Sequence, residues 1–285
     1  MFLEQVFLQL GLGEEKFLLL DACAAPGGKS THLASLMNAN SLLISNEVIG
    51  SRVSVLKENL VKWGNPNVLI TNNDPSAFSE LENLFDVMLI DAPCSGEGLF
   101  RKDHEALEEW SETNCEINSS RQQRILNALL PALKPGGYLI YSTCTYNPNE
   151  NEKNIKWLCG NFDLDCLTIE VKNEWGIKKI QEGNCTAYSF LPHRVKGEGL
   201  FISVLKKKPE VHPTLKIKTK SSSFSPLNKK FNSLNSWIID EKKNYSLVQK
   251  DEMAFALHND WLPLIEYLAG ELRIVHSGTC IAELK

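Results

Sequence analysis

The chain has 285 residues, of which 43% are hydrophobic and 23% charged, and a formal net charge of −5. This composition is typical of a globular domain, and the length suits one domain of about 200 residues with a smaller second piece. No apolar run reaches the about 18 residues that a membrane span needs. Glu4 and Gln5 interrupt the apolar stretch Met1–Leu10, and no cleavage site follows it, so we predict a cytoplasmic protein without a signal peptide or membrane segment.

The net charge is unevenly distributed along the chain. Residues 201–285 contain thirteen Lys and Arg against nine Asp and Glu, a balance of +4, whereas residues 1–200 have a balance of −9. Local patches, more than the total, set the affinity for phosphate. The negative total therefore does not exclude a nucleic-acid partner.

The eight cysteines form no C-x-x-C pair, and their spacing matches no zinc motif. Without a secretory signal, a reduced chain is the expected state. We therefore predict no metal site and interpret most cysteines as small buried hydrophobic residues.

Strand-like apolar runs alternate with helical patterns over the first 145 residues. Strands are predicted at Phe17–Leu20, Ser41–Ser45, Val68–Thr71, Phe85–Ile90 and Tyr138–Ser142, and helices at Lys29–Met37, Ile49–Trp63 and Ile117–Leu133. Lys134–Gly137 is predicted to be a turn. Such alternation predicts an α/β fold with a doubly wound, mostly parallel sheet.

A change in composition follows a last predicted strand at Leu200–Leu205. Lys206–Lys230 contains eight lysines, one glutamate and three prolines, which is typical of a basic, extended linker. Short strand patterns and a helix at Leu262–Leu268 predict a small α+β module at the end of the chain. We predict three parts: a main domain at 1–206, a linker at 207–230 and a small accessory module at 231–285.

A glycine-containing segment, Asp21–Lys29, connects the first predicted strand to a helix. Ligands of open α/β sheets bind at the carboxyl ends of strands, and Gly27 and Gly28 allow the backbone to approach a ligand closely. Glu47 ends the next strand, where an acid typically binds ribose hydroxyls. The pattern favours a cofactor that contains adenosine; the alternative is a tight turn with no ligand.

Two cysteines follow predicted buried strands at the same sheet edge. Cys94 lies in Asp91–Gly98, and Cys144 lies in Ser142–Thr145. Cysteines at strand ends in polar, glycine-rich turns favour a reactive pair, although simple packing of both thiols is an alternative.

Together these motifs resemble the Nol/Nop/Sun family of RNA (cytosine-5) methyltransferases over residues 1–206. The same resemblance extends to shorter segments, namely Arg101-Lys-Asp, Trp110, Arg121-Gln-Gln, Tyr141-Ser-Thr-Cys-Thr with Pro148 and Glu150–Glu152, Pro192-His193 and Gly197–Phe201. It implies the Rossmann-like fold of class I S-adenosylmethionine methyltransferases. The basic segment and last module are most similar to the bacterial branch that acts on small-subunit ribosomal RNA, which implies that the accessory module at 231–285 binds RNA.

The resemblance also implies roles for individual residues. Cys144 would be the nucleophile that adds to carbon 6 of cytosine, and Cys94 would assist product release. Asp91 would lie between the cofactor and the target base. The residues implied to bind S-adenosylmethionine are Cys23, Ala24, Ala25, Pro26, Gly27, Gly28, Lys29, Glu47, Arg52, Asp74 and Asp91.

These observations favour a monomeric methyltransferase acting on RNA, either naked ribosomal RNA or the small subunit. One alternative keeps the fold but moves the target to DNA or another base, although a DNA enzyme needs only the Pro-Cys thiol. The other is a ribosome-assembly factor with a degenerate fold, against which the intact motif residues argue. Family members carry an N-terminal RNA-binding region, so a chain whose first strand is predicted at Phe17 is interpreted as a fragment or a reduced version.

Overall fold

The computed structural model describes residues 2–209, 224–239 and 244–285. The α helices in these residues are α1 (Phe2–Leu10), α2 (Gly28–Leu36), α3 (Gly50–Trp63), α4 (His104–Glu109), α5 (Glu112–Leu129), α6 (Glu152–Asn161) and α7 (Leu262–Glu271). The strands are β1 (Leu18–Asp21), β2 (Leu42–Asn46), β3 (Val68–Thr71), β4 (Phe85–Asp91), β5 (Leu133–Thr143), β6 (Leu164–Leu167), β7 (Lys178–Glu182), β8 (Cys185–Phe190), β9 (Leu200–Lys207), β10 (Ser225–Pro226), β11 (Tyr245–Lys250), β12 (Met253–His258), β13 (Ile274–Ser277) and β14 (Thr279–Glu283).

Contacts divide the chain into two compact units, each built from two separate stretches of sequence. Unit 1 comprises Met1–Leu12 and Phe78–Pro213, and unit 2 comprises Gly13–Ala77 and Thr214–Lys285. The predicted boundaries at 206 and 230 follow composition instead, and they stay a prediction.

Unit 2 contains three parallel strands in the order β3-β2-β1, with β13 antiparallel to β3. Every residue of β1, β2 and β3 is buried. Strands that are covered on both faces have continuous runs of apolar residues in the sequence. The sequence therefore predicted these three strands. The carboxyl ends of β1 and β2 meet at one edge, which places Asp21 opposite Ser45.

The C-terminal part of unit 2 forms a second, antiparallel sheet in the order β10-β11-β12-β14. Its small core is formed by Leu234, Ala254 and Leu284. The predicted α+β character of this region is confirmed. This C-terminal segment is not a separate module, however, because its strand β13 pairs with β3 and extends the sheet of β1 to β3.

Unit 1 contains the parallel pair β4 and β5, followed by β9, β8 and β7, each antiparallel to its neighbour. The short strand β6 also pairs with β9, at Lys207–Val204, whereas β8 pairs with β9 near its other end, at Leu200–Ile202. The predicted α/β class with a mostly parallel sheet is confirmed, since β1 to β3 are parallel in unit 2 and β4 and β5 are parallel in unit 1. No helix in the described ranges is long and apolar enough to span a bilayer.

The predicted turn Lys134–Gly137 lies inside β5 as an irregularity. Phe85 pairs with Leu133 and Val87 with Tyr138, so four residues of β5 face one residue of β4. Gly136 has a φ of 78°, which glycine adopts readily. The prediction of a turn was therefore wrong, because Lys134–Gly137 belongs to β5, where these residues form an irregularity of the strand.

Two helix predictions need correction. The helix predicted at Ile117–Leu133 begins at Glu112, where Ser111 caps it by accepting a hydrogen bond from the Asn114 N–H, and it ends at Leu129. No helix was predicted in the first ten residues, yet α1 buries Phe2 and three other apolar side chains. Tertiary packing favours this helix, because the Phe2 ring lies 5.1 Å from that of Tyr188.

Candidate active site

The glycine-containing loop of unit 2 runs from the end of β1 into α2, as predicted. Gly27 has a φ of 112°, and a Cβ atom at this position would lie 3.3 Å from Leu56 Cδ1. Both facts favour glycine here. A Cβ on Gly28 would meet no atom within 4 Å, so the backbone at the start of α2 has open space before it. Such a loop fits a cofactor that is held by backbone groups.

Helix α3 fixes this loop through side-chain hydrogen bonds. Arg52 Nη2 donates to the Ala25 carbonyl at 2.6 Å, and Asn59 Nδ2 donates to the Pro26 carbonyl at 2.7 Å. Ser30 Oγ, one turn into α2, donates to the buried Asp21 carboxylate at 2.6 Å. The loop conformation is therefore set from both sides within unit 2.

Glu47 follows β2 and is 2% exposed. Its Oε1 accepts a hydrogen bond from the Ile49 N–H at 2.9 Å, and its Oε2 lies 3.5 Å from Arg52 Nη1. Arg52 thus links Glu47 to the glycine loop, which brings these predicted residues together. A carboxylate oriented in this way at a strand end fits the ribose of a nucleoside cofactor.

Asn46 is a residue of this site that sequence reasoning missed. Its Oδ1 accepts hydrogen bonds from Thr71 Oγ1 and the Asn73 N–H, and its Nδ2 donates to the Ala22 carbonyl. The side chain therefore joins the ends of β1, β2 and β3. Its only sequence signal was its position directly before Glu47.

Asp74, predicted to lie near the adenine, follows β3 at an exposed position. Its Oδ1 accepts from the N–H of Ser76 at 3.0 Å and from Ser76 Oγ at 2.7 Å. These bonds fix the turn after β3. The predicted contact with adenine remains a prediction.

Two thiols lie together at the edge of unit 1. Cys94 Sγ is 3.1 Å from Cys144 Sγ, and the Cys144 N–H donates to Cys94 Sγ at 3.3 Å. The hydrogen bond to Cys144, together with burial, raises the pKa of Cys94 well above its usual value. The predicted pairing of these two cysteines at one sheet edge is thus present in the structure.

Neighbouring side chains hold the two cysteine loops in contact. Ser95 Oγ is hydrogen bonded to Thr145 Oγ1 at 2.8 Å. The Ser95 N–H and Gln122 Nε2 both donate to Glu150 Oε2, at 3.0 and 2.8 Å. Glu150 is fully buried, and burial raises its pKa. Glu150 belongs to a segment that resembles the family, but the sequence did not predict that this side chain positions the cysteine loops.

Close backbone approach also joins the two loops. The Gly98 N–H donates to the Cys144 carbonyl at 2.7 Å, and a Cβ on Gly98 would lie 2.6 Å from that oxygen. Glu97 Oε2 accepts from the Tyr146 N–H at 2.9 Å, and Trp110 Nε1 donates to Glu97 Oε1 at 2.9 Å. Only glycine at position 98 permits the close approach to the Cys144 carbonyl, which explains the second glycine of Gly-Glu-Gly.

Asp91 ends β4 directly opposite Ser142 of β5. Ser142 Oγ donates to Asp91 Oδ1 at 2.7 Å. This bond orients the carboxylate at the edge where Cys94 and Cys144 emerge. A carboxylate can accept several hydrogen bonds, including one from a bound base.

A cationic cleft adjoins the cysteine loops in unit 1. Arg101, Arg194 and Lys196 are exposed and line it together. Arg101 acts electrostatically on Tyr146, two residues after Cys144. This cluster was not predicted, because its members lie far apart in the sequence.

The lysines at the start of the predicted basic linker belong to the fold of unit 1. Lys206 and Lys207 are the last residues of β9. Lys207 Nζ donates to the Leu133 carbonyl at 2.7 Å, and Lys206 Nζ lies 5.1 Å from the centre of the Tyr138 ring. Residues 210–223 of the predicted linker lie outside the described residues.

Comparisons with known proteins agree with the motifs. The family model described as 16S rRNA methyltransferase RsmB/F matches residues 7–206. The ribosomal RNA small subunit methyltransferase F of Aeromonas salmonicida is 36% identical over 274 residues, covering 93% of this chain and 56% of that protein. The protein of the same name from Vibrio vulnificus is 34% identical, with 96% and 59% covered. The chain thus spans a little over half the length of these relatives.

Solved structures give the same result for the fold. The crystal structure titled NSun6 from Pyrococcus horikoshii with SFG superposes with a TM-score of 0.62 and 28% identity, covering 73% of this chain and 52% of that one. A methyltransferase homolog protein from the same organism gives 0.57 and 29%, covering 72% and 66%. The fold is that of class I methyltransferases. With a family model that matches well over half of its residues, the chain belongs to the RsmB/F family of 16S rRNA methyltransferases.

Proposed function

We propose that this protein methylates carbon 5 of a cytosine in small-subunit ribosomal RNA, acting as a monomer in the cytoplasm. The observation that carries the proposal is the thiol pair, with Cys94 Sγ and Cys144 Sγ 3.1 Å apart at the ends of neighbouring parallel strands. A methyltransferase that modifies an exocyclic nitrogen or a hydroxyl oxygen needs no thiol nucleophile, because these atoms can attack the methyl group directly. The names of the relatives support the choice of ribosomal RNA.

The cofactor of this family is S-adenosylmethionine, and we assign its binding to unit 2. The backbone of Cys23–Lys29 would hold the methionine part, and Glu47, oriented by Arg52, would accept hydrogen bonds from the ribose hydroxyls. Asp74 would lie at the adenine. When bound, the cofactor supplies an electrophilic sulfonium methyl group, which is transferred to the activated carbon 5.

Carbon 5 of cytosine is a weak nucleophile until a thiolate adds to carbon 6. In the proposed first step the Cys144 thiolate forms a bond to carbon 6, and the electron pair of the C5–C6 double bond moves to carbon 5. After methyl transfer the proton on carbon 5 leaves to a base, the double bond re-forms, and the Cys144 thiolate is expelled. Covalent catalysis of this kind replaces one difficult step by easier ones.

In the proposal Cys144 is the nucleophile and Cys94 is the hydrogen-bond donor in the contact between the two sulfurs. The raised pKa of Cys94 agrees with this role, since it favours the protonated thiol. Such a hydrogen bond stabilises a thiolate on Cys144. Cys94 then acts in the release step that follows methyl transfer.

Asp91 and the cationic cleft have supporting roles in the proposal. The Asp91 carboxylate, oriented by Ser142, would accept a hydrogen bond from the exocyclic amino group on the N3 side of the ring. Arg101, Arg194 and Lys196 would contact phosphates next to the target nucleotide. The target base must leave its stack to reach the thiols, which costs a few kcal/mol unless it lies in a loop or bulge.

The test is a methylation reaction with the whole chain, S-adenosylmethionine carrying an isotopically labelled methyl group, and small ribosomal subunits. Parallel reactions contain naked small-subunit RNA and duplex DNA. Mass spectrometry of the digested nucleosides should find the label in 5-methylcytidine from RNA, and Cys144→Ala should abolish it. Label in another ribonucleoside, or in deoxycytidine, would overturn the proposed target.

A further inference from the structure

Three cysteines outside the candidate active site come together in unit 1. Cys159 lies in α6, Cys166 in β6 and Cys185 at the start of β8, and all three are partly buried. Their sulfur atoms all lie within 4.8 Å of one another, and Cys159 Sγ is 3.6 Å from Cys166 Sγ. No metal site was predicted, because the cysteines form no C-x-x-C pair and their spacing matches no zinc motif.

The spacing of the three sulfurs suits a tetrahedral thiophilic ion. Zinc–thiolate bonds of about 2.3 Å at the tetrahedral angle place the sulfurs about 3.8 Å apart. The Cys159–Cys166 distance lies close to that value, and the 4.8 Å limit on the others requires a contraction of at most about 1 Å. Rotation of a cysteine side chain about χ1 moves its sulfur by more than this. The backbone of α6, β6 and β8 can therefore stay in place.

One side of the cluster, at Cys159 and Cys185, opens to a cleft that is also lined by an acidic side chain. Glu182 lines this cleft with Cys159 and Cys185. Glu182 pairs directly with Cys185 across the β7–β8 hairpin, and directly opposed side chains of antiparallel strands lie on the same face. Lys156, one turn before Cys159 on α6, also lines the cleft and would reduce the repulsion between several thiolates.

We propose that Cys159, Cys166 and Cys185 bind one Zn²⁺ ion, with Glu182 or a water molecule as the fourth ligand. Three thiolates select a soft divalent ion over Mg²⁺ or Ca²⁺. The ion would have a structural role, because it would connect α6 to the strands β6 and β8, which pair with opposite ends of β9. This site is independent of the proposed methyl transfer.

Metal titration of the whole chain tests the site. The titration uses protein in which Cys94→Ala and Cys144→Ala remove the other close thiol pair. Co²⁺ should bind with a stoichiometry of one, giving thiolate-to-cobalt charge-transfer absorption and the intense visible bands of tetrahedral coordination, and Zn²⁺ should displace it. Zn²⁺ should also raise the melting temperature.

Further variants identify the ligands. Cys159→Ser, Cys166→Ser and Cys185→Ser should each weaken Zn²⁺ binding more than about 100-fold, since loss of an outer-shell partner alone costs 10–100-fold. Cys280→Ser, which alters the exposed cysteine of unit 2, is the matched control and should bind as the parent does. Cys185→His keeps a ligand at this position, and it should retain cobalt with about one third less charge-transfer absorption, since one of three thiolates is lost.

Two results would overturn the proposal. One is a cobalt spectrum of the unaltered chain without thiolate charge transfer, a measurement that needs no variant to fold. The other is unchanged Zn²⁺ affinity in the three serine variants, which would place the metal elsewhere. Neither result bears on methylation, so this site and the proposed function can fail separately.

Discussion

Cys94 Sγ lies 3.1 Å from Cys144 Sγ, although fifty residues separate the two cysteines in the chain. Two features make this contact possible. Strands β4 and β5 are parallel and in register at Asp91 and Ser142, so the loops that follow them begin side by side. Hydrogen bonds from Ser95 to Thr145 and Glu150 then hold those loops together.

Replacement of Cys144 and replacement of Cys94 should block the methylation reaction at different steps. Cys144→Ala lacks the proposed nucleophile, so it should form neither methylated RNA nor a covalent complex. Cys94→Ala should still attack but should not release the product. A protein–RNA complex that survives denaturing electrophoresis should therefore accumulate in Cys94→Ala only when S-adenosylmethionine is present.

Other assignments of the pair predict other patterns. If Cys94 is the nucleophile, as in a DNA-type enzyme, Cys94→Ala should be inert and Cys144→Ala should form the adduct. If both thiols only pack, both variants should turn over and lose only stability. A stable adduct formed by Cys144→Ala would rule out the proposed nucleophile.

Loss of Glu47 should weaken cofactor binding. Removing a charged hydrogen-bond partner typically costs about 1.5–3 kcal/mol, tenfold or more in affinity, so isothermal titration with S-adenosylhomocysteine should show at least this loss for Glu47→Ala. Arg52→Ala should have a smaller effect, because Arg52 is about half exposed and acts by positioning. Glu58→Ala, which alters an exposed acid of α3 paired with Lys62, should bind normally. If Glu47→Ala and Glu58→Ala bound S-adenosylhomocysteine equally well, Glu47 would not be part of the cofactor site.

Glu150 should make stability depend on pH. Burial raises its pKa above the usual 4.5, so the folded protein holds this proton more tightly than the unfolded chain does. The resulting stabilisation is complete below pH 4.5 and is lost as the pH rises through the raised pKa. Each tenfold difference in proton affinity corresponds to about 1.4 kcal/mol.

Glu150→Gln keeps the shape of the side chain but does not titrate. The free energy of unfolding of Glu150→Gln minus that of the parent should therefore increase as the pH rises from 4.5. Urea unfolding at several pH values measures this difference. Glu116→Gln, at an exposed position of α5, serves as the control and should give a constant difference. A constant or falling difference for Glu150→Gln would contradict the raised pKa.

The cationic cleft should account for part of the salt dependence of RNA binding. Each lost phosphate contact lowers the slope of log affinity against log salt by about 0.7–0.9. Replacing Arg101, Arg194 and Lys196 with Gln should therefore flatten the slope by up to about 2–3 in filter-binding measurements.

A matched control removes three charges from the other edge of the same sheet. Lys134, Lys206 and Lys208 lie near the start of β5 and the end of β9, where Tyr138 pairs with Lys206. Their replacement by Gln should leave the slope unchanged. If this control flattens the slope and the cleft variant does not, the RNA path lies along β9 and the segment that follows it.

The sequence by itself determined the elements that are buried on both faces. Continuous apolar runs identified β1 to β4, and the 3.6-residue period identified α3. Three motifs in order identified the family, because their residue types are set by local chemistry: Gly27 by its positive φ and Gly98 by the backbone contact with Cys144.

Only the tertiary structure decided which distant residues meet. The strands β6 and β7 are partly or largely exposed, so their apolar patterns are weak. They were not predicted, and neither was β8, although four of its six residues are buried. The return of β13 to pair with β3, the positioning role of Glu150 and the gathering of Cys159, Cys166 and Cys185 all depend on pairings between remote segments. The spacing of apolar residues predicts local structure, because it depends on residues that are near each other in the chain. Contacts across a sheet depend instead on the order of the strands, which is determined by tertiary packing.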